Sequence, residues 1–514
     1  MPVEILQPKF STVDWLVVVA YLVGTTLIGA KLAGKQATIR DFFLGGRKLP
    51  WWAISGSIIA TEISAATIVG VPTISYAAGG NLTYLQLALG SILARVIVAR
   101  YFVRKFFEKE IYSPYDYVGA RLGPRVKHTT TALFFLGAIL GQGARLFITA
   151  SVLGVVAGLK PIPAIWLMGA FAVGWTLLGG MTTVIWTDVI QFGVIILGAV
   201  FALLASVMAV PGGVGEVIRV ASEAGKFQLF DFSTDLSLEY TFWCGIIALP
   251  FLNLAAFGTD QVMAQRMFCC KSEADARRAI LWSNVSLFIP VLMLGVGIAM
   301  YAYFLHRPLS PDEAAQLTVD KQRLFPLFIL RELPVGVRGI VVAAIFAASI
   351  STLEGALTAL AQATVGFFLK PSDLSGEATP ANQRRATSAV RWSKLVIIAW
   401  GLLLCLMAMA CIELAKDYKN VIDLALSLAR YTYGPLLGVF LLAFLPRRRD
   451  DAGLFWGVGL SICVVLAMSL YRTGSGQPLG ISPFWHYPIA TGITFAVGYL
   501  LGKPVVSDSA DFEK

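Results

Sequence analysis

Apolar residues in this chain come in blocks of about twenty, the helical length that crosses a bilayer's hydrocarbon core, and the polar residues collect between the blocks. Only helices and closed barrels keep their backbone groups satisfied in lipid. The blocks predict helical spans at 12–33, 50–76, 81–108, 127–157, 162–179, 184–210, 240–265, 278–305, 335–369, 392–415, 420–445, 452–471 and 484–502. The expected class is an all-α integral membrane protein with about thirteen transmembrane helices. An odd number of crossings puts the two termini on opposite sides.

Composition supports that class. Of the 514 residues, 57% are hydrophobic and 14% charged, against about 25% charged in soluble domains. The net charge of +10 sits mostly in loops 34–49, 101–127, 266–278, 370–394 and 446–451. Basic loops stay on the cytoplasmic side, so the N-terminus is expected outside and the C-terminus in the cytoplasm of a multi-pass plasma (inner) membrane protein. The mixed-charge loops 211–239 and 306–334 then fall outside. The positive charge orients the chain, and no nucleic acid is implied.

Chemistry is sparse. His128, His306 and His486 are scattered without metal-ligand spacing, and the six cysteines form neither a CxxC pair nor a disulfide framework. Vicinal Cys269 and Cys270 read as reduced cytosolic thiols. The N-terminus has no cleavable signal, the segment 371–390 reads as a polar flexible loop, and no Walker motif or nucleotide-binding domain is visible. No nucleophile–base pair lies in the spans, so an enzyme is not expected. No cofactor is needed, and no obligatory protein partner is inferred. The partners are the lipid bilayer and a small-molecule solute, moved at the expense of an ion gradient.

Two spans are interrupted. One carries Ala60-Thr61-Glu62-Ile63-Ser64-Ala65-Ala66-Thr67 followed by Gly70-Val71-Pro72; the other carries Asn253 to Asp260 with Gly258. Glycine and proline release backbone carbonyls from helical bonding, and in a membrane those oxygens need another helix, water or an ion. Five spans separate the two, so they run in opposite directions, as broken helices do around the midplane site of an inverted repeat.

At these residues the chain resembles the sodium:solute symporter family, which includes sodium–glucose, proline, sialate, iodide and monocarboxylate carriers. The resemblance begins at Asp41-Phe42-Phe43-Leu44-Gly45-Gly46-Arg47-Lys48-Leu49-Pro50-Trp51-Trp52. It runs through Ala60–Gly70, through Gly180–Gln191 with Trp186-Thr187-Asp188, and through Asp260-Gln261 with Gln265-Arg266. It closes on Ser351-Thr352 and Tyr433-Gly434-Pro435-Leu436-Leu437-Gly438. It implies a 5+5 inverted-repeat core with one helix before and two after. The division would be an extra helix and loop (1–49), a first five-helix repeat (50–239), a second inverted repeat (240–446), and two further helices with a tail (447–514).

The resemblance also implies a sodium site made of the Ala60 and Ile63 carbonyls with Ala348, Ser351 and Thr352. The last three are spaced i, i+3, i+4 and share a helix face. A hard cation is suited by uncharged oxygens; the other reading is that the hydroxyls bond back to their own helix. Asp188 matches a position some members use for a second sodium. Those members carry serines two and three positions beyond the second hydroxyl residue, where this chain has Glu354 and Gly355. A second ion site from Asp188 and Glu354 therefore departs from the pattern, and Glu354 is open to acting as a carboxylate ligand, a protonated acid or an arginine's partner.

Charged residues inside spans are functional candidates because each costs at least ~2.5–3.5 kcal/mol unpaired; here these are Glu62, Arg145, Asp188, Glu354 and Arg430. By resemblance Glu62, Ser64, Thr67, Gln86, Arg145 and Asn253 line the solute pocket, with Arg145 placed to grip a carboxylate bidentately. The competing reading is an internal Glu62–Arg145 or Glu354–Arg430 salt bridge. Tyr76 beside Gly70-Val71-Pro72, the stretch Asp231-Phe232 followed by Tyr240-Thr241-Phe242-Trp243, and Ala256 where sugar carriers have an aromatic gate lean toward a small organic anion such as a monocarboxylate. A sugar or amino-acid symporter, a proton-coupled carrier using Glu62 or Glu354, and a membrane solute sensor are the alternatives.

Overall fold

The computed structural model describes residues 10–32, 38–108, 111–311, 317, 323–368, 380–414, 421–445, 451–470 and 480–503. Among them the chain is helical apart from turns and one isolated bridge between Leu49 and Cys270. Residues 371–379 and the tail past 503 lie outside the described residues, and residues 380–390, expected as part of a flexible loop, instead open the helix Pro380–Leu414.

Among the described residues eight helices are long and apolar enough to cross a membrane, and ten spans result if each of two bent pairs counts as one. We number the helices that matter here α1 (Thr12–Leu32), α2 (Trp51–Glu62), α3 (Ala65–Tyr76), α4 (Thr83–Phe107), α5 (Pro124–Ala157), α6 (Pro161–Ala209), α7 (Cys244–Thr259), α8 (Gln261–Phe268), α9 (Glu273–His306) and α10 (Val337–Phe368). Within α6 the stretches expected as separate spans 162–179 and 184–210 are two helical segments that join across a kink at Gly180, where the backbone turns non-helical at φ 55°, ψ −163°.

Helix α10 is the centre of the bundle: 94% of its most apolar window is buried, against 22% for α1 at the periphery. Its small residues allow this, because helices in lipid associate through close backbone approach. A Cβ on Gly198 of α6 would lie 2.3 Å from Ala344 Cβ of α10, so the two helices meet almost backbone to backbone.

The two bent pairs are α2/α3, at 60°, and α7/α8, at 51°. The first opens at Ile63 (φ −75°, ψ 111°) and Ser64 (φ −104°, ψ 167°). The Gly70-Val71-Pro72 triplet, expected to contribute to the interruption, lies inside α3, with Pro72 within the helix. Its role is contact: a Cβ on Gly297 of α9 would come within 2.1 Å of the Pro72 carbonyl oxygen, and Ser75 Oγ donates to Leu294 O at 2.8 Å. The second break passes through a π-helical turn at Ala255–Thr259 into an extended Asp260. Gly258 admits the Phe102 ring, whose atoms would sit 2.7 Å from an added Cβ.

Candidate functional site

Extended backbone at Ile63 and Ser64 interrupts the helical ladder, so carbonyls at the end of α2 lose amide partners four residues on. Helix α10 stands across this gap. Thr352 Oγ1 donates to Thr61 O at 3.2 Å and to Ala348 O of its own helix at 2.8 Å. Thr61 Oγ1 and Ser351 Oγ lie 3.2 Å apart. Ala60, Ile63, Ala348, Ser351 and Thr352 are all buried. The structure thus brings residues 60–63 against residues 348–352. The back-bonding of Thr352 and its reach toward the break coexist in one hydroxyl. The donor set is neutral oxygen, which suits a hard monovalent cation.

One layer away, Asp188 of α6 holds a buried knot. Its Oδ1 accepts from Ser351 Oγ at 2.5 Å, and its Oδ2 accepts from Ser57 Oγ at 2.5 Å and Arg266 Nη2 at 3.0 Å. Arg266 of α8 also donates from Nε to Ser57 Oγ at 2.9 Å and from Nη1 to Val262 O at 2.9 Å. Both charged side chains are 0% exposed, so each neutralises the other where water cannot. Four elements, α2, α6, α8 and α10, meet in this knot, and Ser351 joins it to the break.

The other predicted residues divide into committed and free groups. Glu62 pairs with Arg95 of α4, and not with Arg145. Arg95 also donates to Ser91 and Ser286 and lies 4.3 Å from the centre of the Phe257 ring. Glu354 forms no salt bridge with Arg430, which contacts His486 and the Tyr431 ring. Both alternative ion pairs expected from the sequence are therefore corrected, because helix contacts select partners from other spans. Gln86 is a brace: it donates to the Thr83 and Tyr240 carbonyls and accepts from the Asp231 amide. Asn253 donates to Leu249 O of its own helix.

Ser64, Thr67 and Arg145 are differently placed. Ser64 begins α3 without capping it through its side chain, and Thr67 is half-buried one turn on. Arg145, half-buried in the middle of α5, has no hydrogen-bond or ion-pair partner among the described residues. It faces the second break, where Tyr433 Oη donates to Asp260 Oδ2 at 2.6 Å. Thr149, one turn further along α5, bonds to Arg145 O and lies 3.0 Å from Ser349 Oγ of α10. Gln142, on the same face as Arg145, keeps its buried Oε1 without a partner.

Arg95, Asp260, Arg266 and Tyr433 were given no role from the sequence. A search for cations in and beside the spans would have flagged Arg95 and Arg266, since Glu62 and Asp188 each required a cation in the membrane.

The model of the sodium:solute symporter family matches residues 42–460. The human sodium/iodide cotransporter is 31% identical over 496 residues, covering 93% of this chain and 73% of the relative. The bovine sodium-coupled monocarboxylate transporter 2 is 28% identical over 496 residues, covering 94% and 76%. The sodium/sialic acid symporter SiaT of Proteus mirabilis is 28% identical over 465 residues, covering 89% and 90%. Among solved structures, a substrate-bound, outward-open Na+-coupled sialic acid symporter superposes with a TM-score of 0.81 at 24% identity, covering 97% of this chain and all of that one. The likeness is one of fold.

Proposed function

The chain belongs to the sodium:solute symporter family, and from that premise we propose how it works and what it carries. It is a secondary active transporter that couples uptake of a small solute to sodium. Ala60 and Ile63 carbonyls with Ala348, Ser351 and Thr352 hold the coupling sodium. The observation that carries this assignment is Thr352 Oγ1 lying 3.2 Å from the Thr61 carbonyl, which sets α10 hydroxyls against an opened backbone.

The solute is a small organic anion such as a monocarboxylate. The three relatives named above are described by iodide, monocarboxylates and sialic acid, all anions near neutral pH. Arg145 supplies an unpaired guanidinium within reach of the same helices, with Ser64 and Thr67 offering hydroxyls from the break. Glu62 is engaged by Arg95, which leaves Arg145 as the anion's partner.

Thirteen spans account for the helices. Ten are the long helices and bent pairs; Gly180 divides α6 into two, and Val421–Ala443 and His486–Leu501 add two more. Residues 50–239 and 240–446 form the two inverted repeats, preceded by 1–49 and followed by 447–514. The N-terminus faces outside and the C-terminus the cytoplasm.

Sodium bound at the break ties α2 and α3 to α10 and favours the outward-open state; solute binding then favours closure and opening inward. Each positive charge moved through 100 mV supplies ~2.3 kcal/mol, enough to concentrate a solute roughly fifty-fold. In proteoliposomes, Ser351→Ala with Thr352→Ala abolishes sodium-driven uptake. Unchanged sodium dependence in that double variant refutes the site.

A further inference from the structure

Between the helix Gly213–Glu223 and α7, residues 227–241 form neither helix nor strand, yet they carry the apolar side chains of a membrane face. Phe230 and Phe232 are 48% and 60% exposed, and their rings stack 5.8 Å apart and 13° from parallel. Phe227, Leu229, Leu236 and Leu238 are exposed as well. A cluster of exposed apolar side chains marks an interaction site. The backbone beneath it is tied down. Lys226 Nζ donates to the Ser75, Ala77 and Gly80 carbonyls at the end of α3. The Leu82 amide donates to Gln228 O at 3.1 Å, Phe242 N to Asp231 O at 2.7 Å and Ser482 N to Leu236 O at 2.7 Å. The loop is fixed, and it holds its rings outward.

Continuity says what covers these rings. Trp243 Nε1 donates to Phe232 O at 3.2 Å, and the Phe232 ring packs 5.1 Å from that of Phe242. Trp243 and Ile247, one turn apart, are both exposed, so the apolar edge of the loop runs on into the outer flank of α7. Beside that flank, Leu89, Leu93 and Val96 are exposed on α4. A Cβ on Gly90 of α4 would lie 2.2 Å from the Gly245 carbonyl oxygen of α7, which sets the two helices side by side. Both flanks belong to membrane spans and face lipid. An irregular backbone cannot enter the hydrocarbon itself, whereas the headgroup layer hydrates it, and aromatic rings concentrate at that depth. Charge narrows the lipid. Residues 227–243 hold Asp231, Asp235 and Glu239 and no Lys or Arg, so an anionic surface repels the segment and a zwitterionic one does not.

We propose that residues 227–243 are an interfacial anchor, seated in the headgroup layer of a zwitterionic leaflet on the face that the topology above puts outside. The Phe230–Phe232 stack and Trp243 turn into the lipid, as the apolar face of an interfacial segment does. Through Lys226 and the Leu82–Gln228 bond the anchor holds the turn between α3 and α4, and with it one end of the broken pair α2/α3, at a fixed depth in the membrane. None of these side chains is among the sodium or solute positions above, so the anchor stands or falls without them.

Nitroxide labelling of the full-length transporter in phosphatidylcholine liposomes tests this. Cys463 is exposed and the other cysteines are buried, so Cys463→Ser gives a background in which a single introduced thiol takes the label. One label goes on Phe232→Cys. A reference in water goes on Glu223→Cys, an exposed position on the helix Gly213–Glu223. At 232, collisions with oxygen, which dissolves among acyl chains, should exceed those with a water-soluble nickel chelate; at 223 the order reverses. Replacing part of the phosphatidylcholine by phosphatidylglycerol at low salt, where charges are least screened, should move the 232 label outward, read as a rise in nickel collisions. Nickel collisions at 232 equal to those at 223 overturn the anchor. Shielding of 232 from both reagents overturns it as well, and with dipolar broadening it marks a second copy seated on the patch. A depth unchanged or greater in the anionic liposomes overturns the choice of a zwitterionic surface.

Discussion

Removing Arg266 should harm the protein more than removing the charge of Asp188, although they are two halves of one salt bridge. Both side chains are 0% exposed and 3.0 Å apart. Arg266→Met leaves two buried carboxylates, Asp188 and Glu354, with no cation between them. Breaking a buried pair from one side costs about 3–5 kcal/mol because the surviving charge stays desolvated, which is roughly a hundred- to several-thousandfold in the folded ratio. Asp188→Asn keeps the shape and leaves Arg266 facing Glu354, one base against one acid, so no buried charge is left without its opposite. Its loss is that of charge-assisted hydrogen bonds, about 1.5–3 kcal/mol. The double variant restores neither hydrogen bond but leaves only one carboxylate, and should fall closer to Asp188→Asn than to the sum of the two singles. Denaturation in mixed micelles, followed by tryptophan fluorescence, measures all three. Equal losses for the two single variants, or a strictly additive double, would refute the charge balance on which the reasoning stands.

Arg145→Lys retains a charge but loses bidentate geometry. It should weaken anion binding by at least about tenfold, an energy of about 1.4 kcal/mol, while sodium binding measured without solute is unchanged; equal solute affinity would exclude Arg145 from the pocket. Gly297→Ala forces a methyl to within 2.1 Å of Pro72 O and should destabilise the α3–α9 contact by about 1–3 kcal/mol, read as an earlier unfolding midpoint. Lys226, in the loop after α6, donates to the Ser75, Ala77 and Gly80 carbonyls at the end of α3. Burial pushes its ammonium down to about 8 from the ordinary 10.5. The unfolded chain then holds this proton more tightly than the folded one, so the contribution of Lys226 to stability rises with pH between about 8 and 10.5. A thermal-unfolding series should show the unaltered protein gaining on Lys226→Met across that window; a constant gap between the two would contradict it.

The helical class, the two interrupted spans and the shared face of Ala348, Ser351 and Thr352 were all legible along the chain, because each depends on residues within a few turns of one another. The place of the first interruption was less so. Gly70-Val71-Pro72 carries the strongest local breaking signal, yet the backbone opens at Ile63-Ser64, and the triplet instead lets α9 approach α3. Proline and glycine mark where a helix can deform or be approached closely; the packing around them selects which. Gln86 illustrates the same limit in a side chain: its chemistry fits a pocket, but its amide is spent on the Tyr240 and Asp231 backbone.

What the sequence determined by itself was the solvent of each segment. Hydropathy is a property of a stretch of chain, and twenty apolar residues belong in lipid whatever their neighbours are. Which charges meet was decided only by the tertiary structure. Glu62 finds Arg95 across 33 residues, and Asp188 finds Arg266 across 78, because each helix's rotation and neighbours, set by small-residue contacts such as Gly198 on Ala344, fix which faces come within Coulomb range. In a low dielectric that choice settles which groups are neutralised and which, like Glu354 and Arg145, have no ion-pair partner among the described residues.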